Sequence, residues 1–295
     1  MSMTPTNLPI IPKIRKNAIL TLLSKGTRID ERGFEDHRNI SFRTGLIPNA
    51  NGSAYLELGE TKVLVGVKIE IGSPFPDTPE EGNLIVNAEF LPLASPVFEP
   101  GPPDERAVEL ARVIDRSLRD GRAIDLSKLV IIPGRKVWNL FIDIYIVDYD
   151  GNVVDASSLA TLLALMTAGV PKVSVDQSTG EISYSKKEFE PLPIQRRVVT
   201  STIAKITDEN TGARYYLSDP SLEEEMISDT LVTIAYSEDG RIVGMQKNGI
   251  QSIHQDDIGR IIAQARRLSE RYFTRLKELL EVAGKEERGS ISTSQ

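Results

Sequence analysis

Two residue types with strong chemistry are scarce in this sequence. It contains no cysteine and only two histidines, His37 and His254. The absence of cysteine excludes disulfide bonds, thiolate zinc sites and a cysteine nucleophile. Two histidines are too few for a multi-histidine metal site within one chain. We therefore expect no bound metal and no cofactor.

The sequence also lacks a long apolar run. Its most apolar stretch, Val153 to Val170, contains Asp155 and several hydroxyl side chains, whereas a membrane-spanning helix needs roughly twenty mostly apolar residues. We interpret this stretch as a buried helix over Asp155–Ala168. Residues 1–12 lack the basic and then apolar pattern of a signal peptide. These observations predict a cytoplasmic protein that makes no membrane contact.

Excess positive charge is missing as well. The 295 residues carry a formal net charge of −7, and 26% of them are charged. An acidic chain of this kind is not a generally basic nucleic-acid binder, so any contact with RNA or DNA must come from a local patch.

One segment has such a patch. Asp104 is a good N-cap for a helix through residues 109–120, and Gly121 stands where a left-handed residue would end it. The apolar residues of the segment recur at helical spacing, which predicts one buried face: Ala107, Leu110, Ala111, Ile114 and Leu118. Arg112, Arg116 and Arg119 fall in a narrow arc on the opposite face.

Two interpretations of these arginines remain open. They could form a solvated face that complements the helix dipole, with Asp115 pairing with Arg119 and Arg112. Alternatively, they could bind the phosphates of a nucleic-acid backbone, because guanidinium groups match phosphate oxygens in a bidentate manner. Arg112 and Arg116 are like charges four residues apart, which slightly destabilises an isolated helix. This favours the second interpretation.

The remaining pattern divides the chain into two halves, each of strands followed by a helix. We predict an N-terminal extension at 1–33 with a helix over Lys13–Lys25, a first half at 34–190 and a second half at 191–283. Residues 284–295 are polar and are predicted to be disordered. In the first helix, the predicted inward residues are Ile14, Ala18, Ile19, Leu22 and Leu23. The fold class is α+β, an α/β sandwich with mixed sheets packed on helices.

The sequence contains no nucleophile elbow and no glycine-rich phosphate loop. This argues against a third possibility, a small-molecule kinase of similar fold. Several segments do resemble the RNase PH family: the hairpin around Gly59, the turn Arg28–Arg32 and the helix Leu110–Arg119. Residues 83–87 and 98–103 resemble, within that family, an archaeal exosome ring subunit. The resemblance spans roughly residues 13 to 280.

Active members of the family shorten RNA from its 3′ end with inorganic phosphate as the attacking group. The resemblance places their phosphate-cradling turn, which ends in arginine, on Asn152, Val153 and Val154. It places their two aspartates, six residues apart, on Glu225 and Leu231. Because valine replaces the arginine and leucine replaces one carboxylate, the chain resembles a non-catalytic subunit with a degenerate phosphate site and a degenerate acidic site.

The resemblance also implies partners. They are a catalytic RNase PH-like paralogue in a hexameric ring of three heterodimers, RNA-binding cap proteins and single-stranded RNA. The chain would bind RNA through Arg112, Arg116 and Arg119 and help to structure the active site of its paralogue. The alternative is that it is itself an active phosphate-dependent 3′-to-5′ exoribonuclease with a displaced phosphate site.

Overall fold

Alternating apolar side chains build a first, six-stranded sheet. The computed structural model describes residues 13–176 and 182–292, without the side chains of Lys186 and of 282–292. The strand order is β1-β2-β3-β6-β4, with β5 paired to β6, and only β4 and β6 run parallel. The strands are β1 (Ile40–Thr44), β2 (Gly52–Leu58), β3 (Thr61–Gly72), β4 (Asn83–Phe90), β5 (Val130–Ile132) and β6 (Lys136–Asp148).

A hairpin and a second sheet follow. Strands β7 (Gly169–Val175) and β8 (Ile182–Pro191) pair with each other. The second sheet is antiparallel with the order β10-β9-β11-β12. Its strands are β9 (Val198–Thr207), β10 (Arg214–Ser218), β11 (Thr230–Ser237) and β12 (Ile242–Asn248).

Five helices complete the described part of the chain, and one of them is central. They are α1 (Lys13–Ser24), α2 (Glu105–Asp120), α3 (Val153–Met166), α4 (Leu222–Ile227) and α5 (Gln255–Ser292). Every residue of α3 from Asp155 to Leu165 is buried, because the helix packs against β2 and β3 on one side and against β9 on the other. The predicted α+β class, with mixed sheets packed on helices, is confirmed.

Helix α2 bridges the two sheets, since it packs against β4 and β12. Asp104 caps it by accepting a hydrogen bond from the amide of Ala107, as predicted. The five apolar residues predicted to face inward are all buried. Among the described residues, no helix is both long and apolar enough to cross a membrane.

The predicted end of α2 is wrong in one detail. Gly121 is not left-handed but has φ −72°, and the left-handed residue is Arg122 with φ 47°. The glycine is needed for space: a Cβ atom there would lie 2.6 Å from the carbonyl oxygen of Ser117 and 2.7 Å from Val198. Close packing, not backbone conformation, therefore explains glycine at this position.

The N-terminal helix also differs from expectation. In α1, Ile14 is 84% exposed and Ala18 is exposed, whereas Ile19, Leu20 and Leu23 are buried. Only the C-terminal half of the helix meets the small apolar cluster formed with the second sheet. Ile14 lies in the N-terminal half of the helix, before this contact begins, and its side chain therefore stays exposed. Residues 1–12 of the predicted extension lie outside the described residues.

Two further segments differ from their sequence patterns. Residues 173–193 show only a weak pattern, but residues 173–175 end β7 and residues 182–191 form β8. Most of this hairpin is exposed, so it lacks the apolar alternation that identifies a half-buried strand. Helix α5 continues as far as Ser292, and the disorder predicted from residue 284 stays a prediction. Lys285, Glu286 and Glu287 are good helix formers. The division at residue 190 stays a prediction.

The packing at Gly121 gives a first test. We expect Gly121→Ala to lower the free energy of unfolding by about 1–3 kcal/mol, because the new methyl group overlaps its neighbours. Gly101→Ala is the matched control, since a Cβ at Gly101 would meet nothing within 4 Å. Urea unfolding of both variants measures the difference. Equal stability of the two variants would contradict the packing argument.

Candidate functional site

The exposed face of α2 carries the three predicted arginines, and the structure gives them different partners. Arg116 is 81% exposed in its side chain and pairs with Asp120 at 3.2 Å. Arg119 pairs with Asp115 at 3.0 Å, and it also donates a hydrogen bond to the carbonyl oxygen of Leu84. Arg112 makes no hydrogen bond or ion pair to any residue that the structure describes.

These three arginines of α2, the α2 row, therefore show features of both interpretations. Asp115 pairs with Arg119 but not with Arg112, and Asp120 offsets part of the repulsion between Arg112 and Arg116. Exposed ion pairs contribute about 0–1 kcal/mol, so these pairs hold the guanidinium groups only weakly. Arg112 is unpaired and Arg116 is weakly held, which leaves both available to an anion, whereas Arg119 is also fixed by its hydrogen bond to the carbonyl oxygen of Leu84.

A second cluster surrounds the first turn of α3. Asn152 precedes the helix in a left-handed conformation with φ 50° and is buried. Its backbone amide donates to Glu225 Oε1 at 2.7 Å. Tyr149 donates its hydroxyl to the same carboxyl group at 3.3 Å. Val153 and Val154 contribute only backbone amides and partly buried apolar side chains.

Burial shapes the charge of this cluster. It raises the pKa of Glu225 to about 7, although the hydrogen bond from the Asn152 amide acts in the opposite direction. Burial likewise raises the pKa of the Tyr149 hydroxyl, and the nearby Glu225 carboxylate adds to this shift. The first turn of α3 is thus occupied by a carboxyl group of the protein itself, which carries a partial negative charge at neutral pH.

Two more buried carboxylates lie behind Asn152. Its side-chain amide donates to Asp155 at 2.9 Å and to Asp219 at 2.7 Å. Asp155 also accepts hydrogen bonds from Thr200 and Thr202. Burial raises the pKa of Asp155, and these hydrogen bonds oppose the shift. Asn152 therefore joins the start of α3 to the second sheet.

Arg38 neutralises Asp219. It donates to both carboxylate oxygens, at 2.8 Å and 3.1 Å, and also to the carbonyl oxygens of Asp150 and Gly151. Burial alone would raise the pKa of Asp219, but Arg38 and Arg32 together hold it below its ordinary value. This carboxylate is therefore buried among its protein partners.

The structure thus brings together residues that were predicted in two separate sites. Asn152, from the degenerate phosphate site, and Glu225, from the degenerate acidic site, are in direct contact. Leu231 lies in β11 and packs against the apolar cluster around α1, so it adds no polar group there. The sequence analysis missed the roles of Tyr149 and Arg38, because no motif or spacing distinguishes them from polar residues at the surface. Asp155 did carry a signal, as a carboxylate within an apolar helix.

No group of three or more metal-binding side chains suitable for a metal ion is found within residues 13–176 and 182–292.

Family models match both halves of the chain. The model of domain 1 of the 3′ exoribonuclease (RNase PH) family matches residues 36–171. The model of domain 2 of that family matches residues 197–267. The chain belongs to the RNase PH family. The expected RNase PH-like fold is therefore confirmed.

Individual members of the RNase PH family are similar over nearly the whole chain. The exosome complex component Rrp42 of Aeropyrum pernix is 51% identical over 95% of this chain and 99% of its own length. The protein of the same name from Sulfurisphaera tokodaii is 48% identical over 94% and 98%.

Solved structures agree with these relatives. A chain of the Archaeoglobus fulgidus exosome, with RNA bound to the active site of that complex, superposes with a TM-score of 0.79. It is 41% identical and covers 90% of this chain and 98% of its own. A chain of an archaeal exosome core superposes with a TM-score of 0.71 at 40% identity and covers 88% of this chain and 96% of its own.

The raised pKa of Glu225 predicts a pH dependence of stability. The folded protein holds a proton on Glu225 up to about pH 7, whereas the unfolded chain loses it near the ordinary value of 4.5. The folded state therefore binds more protons in this window, and the contribution of Glu225 to stability falls as the pH rises from 4.5 to 7.

We expect Glu225→Gln to remove this contribution, because glutamine does not titrate. Relative to the wild type, the variant should gain on the order of 1–3 kcal/mol between pH 5 and pH 7. Urea unfolding at both pH values measures this gain. Glu223→Gln is the control, since Glu223 belongs to the same helix but pairs with Arg15 at the surface. A parallel pH dependence of Glu225→Gln and wild type would contradict the assigned shift.

Proposed function

We propose that this protein is a non-catalytic subunit of an archaeal exosome ring. In this role it binds RNA and helps to structure the active site of a catalytic paralogue during 3′-to-5′ phosphorolytic RNA degradation. The observation that carries the non-catalytic part is the contact between the Asn152 amide and the Glu225 carboxyl group. Membership of the ring is supported by the near full-length similarity to exosome components named Rrp42.

The start of α3 is poorly suited to inorganic phosphate. A helix N-terminus attracts anions through its amides and dipole, but here Glu225 already accepts one of these hydrogen bonds. Val154 stands where the family resemblance places a phosphate-binding arginine. A phosphate ion at this position would meet a partly charged carboxyl group, while the nearby guanidinium of Arg38 is already paired with Asp219. Electrostatic repulsion would therefore oppose its binding.

The α2 arginines support the RNA-binding part of the proposal. Arg112 is unpaired among the described residues, Arg116 is held by an exposed ion pair only, and Arg119 is held by its ion pair with Asp115 and by its hydrogen bond to the carbonyl oxygen of Leu84. RNA phosphates can displace such pairs at small cost, because each pair contributes little in water. Three guanidinium groups on successive turns of one helix would then follow a single strand of RNA.

The same relatives support a proposal about the assembly. We propose a hexameric ring of three heterodimers with a catalytic RNase PH-like paralogue, together with RNA-binding cap proteins, in the cytoplasm. Single-stranded RNA is the ligand of the ring. Neither a cofactor nor a metal ion of this chain's own is part of the proposal.

Catalytic activity separates this proposal from the alternative of an autonomous phosphate-dependent exoribonuclease. We expect the purified chain, supplied with phosphate and Mg²⁺, to release no nucleoside diphosphates from single-stranded RNA, and we expect activity once the catalytic paralogue is added. Chromatographic detection of nucleoside diphosphates measures both reactions. Phosphate-dependent release by the chain alone would refute the non-catalytic role and support the alternative.

RNA affinity tests the α2 row. In the assembled ring, we expect Arg112→Ala to weaken RNA binding irrespective of sequence and to lower the salt dependence by about one counterion. Arg112→Lys should recover only part of the affinity, because a point charge lacks the planar fork of arginine. Fluorescence titrations at two salt concentrations measure both effects.

Arg266→Ala is the control, because Arg266 is an exposed arginine of α5 whose ion pair with Glu270 resembles that of Arg116 with Asp120. Its affinity for RNA should equal that of the wild type. If Arg112→Ala and Arg266→Ala behave alike, the α2 arginines form a solvated face and the RNA-binding part of the proposal fails.

A further inference from the structure

A cavity of about 460 Å³ opens beside the C-terminal end of α2. Its volume falls within the range of small-molecule sites, about 300–1,000 Å³. The buried side chains of Leu84, Leu118 and Ile124 contribute to its apolar part. Its polar lining includes two guanidinium groups, from Arg119 and Arg122. The cavity is separate from the cluster at the start of α3.

The walls of the cavity are held in place by the backbone. Ile124 forms an isolated β-bridge with Ile194, and the amide of Asp125 donates to the carbonyl oxygen of Pro193. On the opposite wall, Gly82 donates to the carbonyl oxygen of Leu126. Because these bonds fix both sides, a ligand would not have to order the cavity first, which favours binding.

Arg122 is the unusual residue of this site. It adopts a left-handed conformation with φ 47°, which is strained for a residue other than glycine. Its guanidinium group makes no hydrogen bond or ion pair within the part of the chain that the structure describes. A glycine at this position would relieve the strain, yet the chain carries an unpartnered cation there. The conformation itself ends α2, because the amides of Arg122 and Ala123 donate to the carbonyl oxygens of Arg119 and Leu118.

The charges of the lining indicate the class of ligand. Glu81 and Asp125 balance Arg119 and Arg122 in the lining. Outside it, Asp115 pairs with Arg119 at 3.0 Å and Lys128 pairs with Asp125 at 3.4 Å, so a bare anion still gains no net attraction. Asp125 stays ionised because a hydrogen bond from Ser127 lowers its pKa. A nucleotide matches both signs: its phosphate suits the guanidinium groups, and the N–H donors of its base suit a carboxylate. The apolar part of the lining suits the plane of the base.

We propose that this cavity binds one nucleotide unit of RNA, with the phosphate on Arg119 and Arg122 and a base edge on Asp125. This proposal rests on the proposed role of the α2 row in holding RNA, because Arg119 belongs to both. It adds a base-reading contact to a row that otherwise recognises only phosphates. Guanine presents two adjacent N–H donors to a carboxylate and uracil presents one, so guanine is the preferred base.

Mononucleotides test the cavity on the full chain alone. By isothermal titration calorimetry, we expect saturable binding of guanosine 5′-monophosphate, at least threefold tighter than uridine 5′-monophosphate. Arg122→Gly should reduce the affinity for both at least fivefold and leave folding intact, because glycine accepts the left-handed conformation. Asp125→Asn should abolish the preference for guanine. Arg135→Ala, at an exposed arginine of the β5–β6 turn, should bind as the wild type does.

Thermal melts followed by circular dichroism verify that each variant is folded. The proposal is overturned if the wild type shows no saturable binding, or if Arg122→Gly and Arg122→Ala bind as the wild type does. Such a result leaves the α2 row untouched, because RNA titrations of Arg112→Ala test that row separately. Conversely, nucleotide binding that depends on Arg122, together with normal RNA affinity of Arg112→Ala, would support the cavity and refute the row.

Discussion

The buried carboxylate of Asp219 is the interaction on which the arrangement of this molecule depends. It lies at the end of β10, in the second half of the chain, and it binds Arg38 from the first half. The same arginine holds the loop that leads into α3 through two carbonyl oxygens. A neighbouring buried pair, Arg28 with Glu224, fastens the N-terminal turn to α4. Removal of one partner of such a pair is costly, about 3–5 kcal/mol, because the other charge remains buried.

These ion pairs also account for the position of Glu225. Because Glu224 points into the buried pair with Arg28, the next residue of α4 is directed towards the start of α3. The carboxyl group at the α3 amide is therefore a consequence of how the halves are joined, and its contact requires no separate adaptation. Asn152 and Glu225 are therefore in direct contact, although the family resemblance places one in a phosphate site and the other in an acidic site.

Prediction from the sequence was most accurate for elements whose apolar residues recur at regular spacing. The apolar face of α2 was predicted with its correct residues, because the helix buries one regular set of side chains. The exposed hairpin β7–β8 has no such set. The contacts of Arg119 with Leu84 and of Glu225 with Asn152 could not be predicted, since they join segments far apart in the chain. Gly121 is a third case: glycine at a helix end indicates a left-handed residue, but here its role is set by contact with Val198 of another strand.

The central position of α3 has a consequence for folding. The helix is encoded with the first half of the chain, yet one of its sides packs on β9 of the second half. Neither half can therefore complete its apolar core before the other is synthesised, and the contacts that close this core join residues distant in sequence. Such a topology folds slowly, because the entropy of closing long loops must be overcome before the contacts form. It also makes unfolding cooperative across both halves, so that two regions which resemble separate domains in sequence behave as one unit.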